Sequence, residues 1–168
     1  LLENFGVDIT DLGIVPDTLD ATRAALREAA RTNDLIITSG GVSVGEEDHV
    51  KPAVEAEGSL NLWQIAVKPG KPLAFGEVRK DGGETAFFLG LPGNPVAAVV
   101  TFLHLARPLV LRLAGAAPEA LPRFPARAAF SYRKKAGRRE YVRVRLGPGS
   151  PLPEAAKFGR EGAGLLSS

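Results

Sequence analysis

Three short loops hold most of the residues that could do chemistry. The first, TSGGVSVGEED (Thr38–Asp48), sets Gly40 and Gly41 beside the hydroxyls of Ser39 and Ser43, then adds three acids, Glu46, Glu47 and Asp48. Glycines allow close backbone approach, and successive N–H groups can form an anion-binding concavity. The acids would repel a phosphate held by the same loop, and a divalent cation resolves that conflict. Mg²⁺ is commonly held by one or two carboxylates together with substrate phosphates. In the plainer alternative the glycines make a tight turn and Asp48 caps the following helix. The second loop, VKPGKP (Val67–Pro72), holds Lys68 and Lys71 on either side of Pro69-Gly70, each followed by a stiffening proline. Two point charges on a short rigid loop suit a phosphate or an oxometalate, and a solvated surface turn is the alternative. The third, GLPGNP (Gly90–Pro95), runs through Pro92 and Gly93 to Asn94, a natural helix cap, and Pro95, which fits the first helical position. Free N–H groups at such a helix start attract anions.

Gly41-x-Ser43-x-Gly45 also matches the spacing of a nucleophilic serine on a strained turn. That chemistry needs a histidine base, and the chain has only His49 and His104. His104 lies inside an apolar helical run and His49 beside the acidic turn, so Ser43 is expected to donate hydrogen bonds rather than attack. With no Cys, thiolate metal sites, disulfides and Cys nucleophiles are excluded.

The elements around these loops alternate between strand and helix up to Gly115, which predicts an α/β fold: a mostly parallel sheet with helices on both faces. Strands are expected at Val7–Val15, Leu35–Thr38, Leu60–Val67, Pro72–Val78 and Thr85–Leu91, with a turn at Lys80–Gly83. A helix capped by Asp17 or Thr18 should run to about Arg31, with Leu19, Leu26 and Ala30 inward and Arg23, Arg27 and Glu28 outward. A second ends near Glu57, with Pro52 in its first turn. The apolar run Pro95–Gly115 approaches membrane-spanning length, but His104, Arg107, Pro108 and Arg112 interrupt it, so it reads as a buried core helix. In open α/β sheets ligands bind beyond the carboxyl ends of strands, where all three loops fall.

Charge divides the 168 residues. Residues 1–119 carry 10 Lys+Arg against 16 Asp+Glu, and residues 120–168 carry 11 against 3. The Pro- and Ala-rich GAAPEALPRFP (Gly115–Pro125) separates them, predicting an α/β domain at 1–117 and a small β domain at 118–168. In the latter, a hairpin is expected with its turn near Lys135–Arg139 and alternation through Tyr141–Leu146. The chain contains no Met and opens on LLENFG, which reads as the end of a helix, so a piece of a longer protein is expected, and the absence of Cys makes a cytoplasmic address the default.

TSGGVSVGEEDHVK, WQIAVKPGKPLAFG and FFLGLPGNPVAAVVTF, in this order and at these intervals, closely resemble the MoeA-type molybdopterin molybdenumtransferases, the family that includes the gephyrin E domain. The likeness extends from DLGIVPD (Asp11–Asp17) to about Gly115, and REYVRVRL with GREGAGLLSS resembles the family's C-terminal β domain. The resemblance implies insertion of molybdenum from molybdate into adenylated molybdopterin with release of AMP, the last step of molybdenum cofactor synthesis, using Mg²⁺. It implies Asp48 as the key acid near Mg²⁺, Glu47 as a second metal ligand, and Asp11 as a further acid at the site. Lys68, Lys71 and Pro72 would form the molybdate pocket, Ser39, Gly40, Gly41 and Ser43 would contact the pterin phosphate, and Pro92, Gly93, Asn94 and Pro95 would shape the third loop. A homodimer is implied, and the adenylyltransferase of the preceding step is a candidate partner, with no nucleic acid or membrane involved.

Three positions depart from the family pattern: Gln64 where a basic residue is usual, and Ala97 and Ala163 where Ser is usual. Arg138, Arg139 or Arg143 could compensate at the oxyanion pocket, or form a solvated basic face. Two other functions compete: a molybdopterin adenylyltransferase on the same fold, against which VKPGKP and the appended β domain argue, and a non-catalytic pterin-binding scaffold. Aromatics for base stacking are sparse in the basic tail, which argues against nucleic-acid binding.

Overall fold

The computed structural model describes residues 1–42, 49–117 and 119–159. Its centre is a four-stranded sheet in the order β1-β5-β4-β2, from β1 (Leu35–Ser39), β2 (Gly58–Gln64), β4 (Pro72–Arg79) and β5 (Thr85–Leu91). Strand β1 pairs with β5 in parallel, whereas β4–β5 and β2–β4 are antiparallel. The α/β class stands, but the pairing sense departs from the mostly parallel expectation. For β4–β5 the cause is local: Lys80 N–H bonds the carbonyl of Glu84 at 2.8 Å, closing a short turn that can only join antiparallel neighbours.

Alternation along the strands divides the core in two. On one face Ile36, Ala74, Val78, Ala86 and Phe88 meet Leu26, Ala29 and Ala30 of α1 (Leu19–Thr32) and Ala53 and Val54 of α2 (Val50–Glu57). On the other, Leu73, Leu89 and Leu91 pack against Phe102 and Ala106. Helices thus cover both faces, as a sheet with two apolar faces requires. Helix α1 starts where predicted, with Thr18 accepting the Ala21 N–H. Its Leu19 is exposed rather than inward, and Arg23 and Arg27 both reach Glu57 at 2.7 Å, tying α1 to α2. Pro52 sits in the first turn of α2, where its missing N–H has no intrahelical partner to lose.

The long apolar helix has three pieces: α3 (Pro95–Thr101), a π-helical turn (Phe102–Ala106) and α4 (Arg107–Leu113). Pro108 explains the widening, because a proline ring collides with the carbonyl four residues back, here His104, in an ordinary α-turn. The stretch Pro95–Leu113 is long and apolar enough to cross a membrane by length and composition, with a mean hydropathy of 1.6. Phe102, Ala106 and Val110 are buried, yet Leu105 and Leu113 are exposed, so the stretch expected to be a buried core helix is covered along one stripe only.

Two predicted elements take other forms. Val7–Val15 is not a strand: Asp11 accepts the Gly13 N–H at 2.8 Å and Gly13 has φ 66°, a local turn that competes with ladder pairing. Ile9, Leu12 and Ile14 are exposed. The expected hairpin is also absent among the described residues. Instead β7 (Arg139–Glu140) pairs in parallel with β3 (Val67–Lys68), and a separate sheet orders β6 (Arg127–Ala128), β9 (Glu154–Lys157) and β8 (Val144–Gly147). The backbone of Arg139 is committed to β3, and β8 finds β9 as its antiparallel partner.

Candidate functional site

The loops after β1 and β5 touch through their glycines. Gly40 N–H bonds the Leu91 carbonyl at 3.0 Å, and a Cβ added to Gly93 would lie 3.3 Å from the Gly40 Cα. Gly40 and Gly41 have φ of 91° and 67°, a region that side chains rarely adopt. The Ser39 hydroxyl donates to the Pro92 carbonyl at 3.4 Å, which directs it to the partner loop. Asn94 caps α3 through its side-chain oxygen, accepting the Ala97 N–H at 3.1 Å, and Pro95 occupies the first turn.

The Lys68–Lys71 loop closes against the same helix. Gly70 is buried with φ 117°, and a Cβ there would come 2.5 Å from Thr101 Cγ2. Thr101 is held in place by its own hydroxyl, which donates to Ala97 O at 2.8 Å. Ile65 N–H bonds Lys71 O at 3.0 Å, so the loop is pinned at its base while both lysines remain exposed.

Between these loops lies a cleft of 540 Å³, lined by Gly40, Gly41, Lys68, Gly70, Lys71, Pro72, Pro92, Gly93, Asn94, Ala97 and, from the C-terminal part, Arg138. Its size suits a small ligand. Parallel pairing of β3 with β7 brings Arg138 in: Arg139 N–H bonds Ala66 O at 2.9 Å and Tyr141 N–H bonds Lys68 O at 2.8 Å. Three cationic side chains thus line one concave surface beside two glycine loops and a helix start. That arrangement can bind an anion by charge and backbone donors together.

Most of the predicted site residues converge here, with exceptions. Ser39 borders the cleft without lining it, and Pro95 lies in the helix behind. Asp11 is exposed and engaged in its own turn, away from the cleft lining. Ser43, Glu47, Asp48 and Ala163 lie outside the described residues. Among the described residues no cluster of three His, Asp or Glu side chains forms a metal centre. Arg139 and Arg143 do not line the cleft; Arg138 does.

Glu140 was not singled out from the sequence. Its side chain is 3% exposed and accepts hydrogen bonds from Arg138 Nε at 2.5 Å and from the Tyr132 hydroxyl. These donors, Tyr132 first and then Arg138, hold its pKa down at about 2. One signal was available: Glu140 is the sole acid between Glu119 and Glu154, within a basic run. His104 stacks on Tyr141 with ring centroids 4.4 Å apart, and burial, with Arg139 and Arg123 nearby, lowers its pKa. It packs the β segment to the helix.

The chain is similar to known proteins in sequence and in fold. A family described as "Probable molybdopterin binding domain" matches residues 1–112, and one described as "MoeA C-terminal region (domain IV)" matches 125–168. The chain is 45% identical over 144 residues to a molybdopterin molybdenumtransferase of Haemophilus influenzae, covering 85% of this chain and 34% of that protein. It is 37% identical over 119 residues to gephyrin of Dictyostelium discoideum, covering 64% of this chain and 17% of that one. The structure of a molybdopterin biosynthesis MoeA protein from Pyrococcus horikosii superposes with a TM-score of 0.67 at 27% identity, covering 90% of this chain and 34% of that one. The chain therefore spans about a third or less of the length of these relatives. With the larger part of its length matched, the chain belongs to the family of the probable molybdopterin binding domain, in the MoeA-type arrangement that places domain IV behind it.

Proposed function

We propose that the protein acts as a molybdopterin molybdenumtransferase, taking molybdenum from molybdate into adenylated molybdopterin and releasing AMP. The observation that carries this reading is the meeting of Lys68, Lys71 and Arg138 in one cleft beside the Gly40–Gly41 and Pro92–Asn94 loops. Molybdate is a small tetrahedral dianion, and three cations around a concave surface suit it. The glycine loops and the start of α3 offer backbone N–H groups to the pterin phosphate. The residues do positioning and charge neutralisation here; none supplies a nucleophile.

Mg²⁺ belongs to the same proposal. Asp48 and Glu47 would hold it, and it would neutralise the phosphoanhydride as AMP leaves. Within the longer protein we place the α/β unit at residues 1–117 and the β unit at 118–168, in a cytoplasmic homodimer that receives substrate from the preceding adenylyltransferase. A second reading, a pterin-binding scaffold without turnover, has one observation in its favour: Ala97 lines the cleft where a hydroxyl would strengthen oxyanion binding.

AMP release by the full-length protein separates the two. Adenylated molybdopterin should yield AMP only with both Mg²⁺ and molybdate present, and Asp48→Asn should abolish it. Retained pterin binding with no AMP under any condition would establish the scaffold instead.

A further inference from the structure

We propose that Glu140 is the positioning residue of the oxyanion pocket: it aims the Arg138 guanidinium into the cleft, opposite Lys68 and Lys71. This deepens the molybdate reading and rests on it. Glu140 does not line the cleft, yet its carboxylate is nearly excluded from water, with 3% of the side chain exposed. Three donors converge on it: Arg138 Nε at 2.5 Å, the Tyr132 hydroxyl, and the Lys135 N–H at 3.4 Å.

The geometry divides the guanidinium between two tasks. A guanidinium is planar and presents its donors in a fixed fork. With Nε committed to Glu140, the plane of the fork is set, and no Arg138 terminal nitrogen has a protein partner among the described residues. Those terminal donors are the ones left for an oxyanion. Tyr132 and the Lys135 N–H fix the carboxylate in turn, so the whole arm is held before ligand arrives. A preorganised donor costs less ordering on binding than a free one. The carboxylate also sets the local balance: three cations and one anion leave two positive charges, which matches a dianion.

Simple electrostatics makes the opposite forecast, and that makes the idea testable. Removing an anion beside an anion site should tighten binding if Glu140 contributes charge alone. Removing the guide for Arg138 should weaken it. In the full-length enzyme, Glu140→Ala should raise the KM for molybdate about tenfold, the scale of one charge-assisted hydrogen bond, and leave kcat within about twofold. The isosteric Glu140→Gln, which keeps an acceptor for Nε and guards against a folding failure, should recover part of the loss. Arg138→Ala should match Glu140→Ala, and the double variant should be no worse than Arg138→Ala alone, because the two residues act as one unit. Calorimetric titration with molybdate alone should rank the variants in the same order.

Tighter or unchanged molybdate binding in both folded Glu140 variants would overturn the positioning role. Losses that multiply in the double variant would also overturn it, since Glu140 would then act without Arg138. If Arg138→Ala binds molybdate and turns over normally, the oxyanion reading of the cleft fails, and the proposal for Glu140 falls with it.

Discussion

At the scale of single residues, the basic C-terminal segment is less uniform than its composition suggests. Arg138 lines the cleft, Arg139 contributes mainly its backbone to β3, and Glu140 holds Arg138 in place. His104 shows a different division of labour. It stacks on Tyr141, and burial first, then the nearby Arg139 and Arg123, lower its pKa from the ordinary 6.5. A base with a lowered folded pKa binds fewer protons than in the unfolded chain across the interval below 6.5. Its stabilisation is therefore complete above pH 6.5 and declines as pH falls through the folded value. Thermal midpoints of the wild type should drop over that interval more steeply than those of His104→Phe, which keeps a ring against Tyr141 but has nothing to protonate. Parallel curves would show that protonation of His104 is not coupled to folding.

At the scale of elements, the Lys68–Lys71 loop depends on α3 for its shape. Gly70 allows the approach in two ways: its φ of 117° suits a residue without Cβ, and a Cβ would press on Thr101 Cγ2 at 2.5 Å. Thr101 cannot turn aside freely, because its hydroxyl bonds Ala97 O and Ala98 O. Gly70→Ala should cost at least about 1 kcal/mol from backbone conformation alone, and more from the contact, read as a lower urea midpoint. Adding Thr101→Ser removes the methyl while keeping the hydroxyl, so the double variant should regain part of the loss. No recovery would mean that the strain lies in the backbone alone. Much at this scale was legible in sequence: LIIT reads as a strand, GNP as cap and first turn, and KPGK as a rigid bend. Val7–Val15 was not, because its apolar spacing carries no sign of the Asp11–Gly13 turn that displaces a ladder. The two-residue pairing of Val67–Lys68 with Arg139–Glu140 was also invisible, since it joins segments some seventy residues apart without a local pattern.

At the scale of the whole molecule, the candidate pocket draws its cations from both the acidic α/β part and the basic β part. Lys68 and Lys71 come from one and Arg138 from the other, with β3–β7 pairing between them. The sequence showed the charge boundary and even offered Arg138 among three arginines. It could not choose among them, because the selection is made by a register that places 138 in the cleft and commits the backbone of 139 to the ladder. Ligand that bridges both parts must stabilise their docking as well as the fold. By mass action, molybdate at a hundred times its dissociation constant should add about 2.7 kcal/mol to the stability of the state that binds it. Thermal unfolding of the full-length protein should therefore shift upward with molybdate, and the shift should shrink in Arg138→Ala because one side of the bridge is gone. Higher salt should shrink it too, since exposed Lys68 and Lys71 are screened over a Debye length of about 8 Å at physiological ionic strength. An undiminished shift in Arg138→Ala would place the bound oxyanion on the α/β part alone, and the C-terminal segment would then serve to shape the lysine loop rather than to hold the ligand.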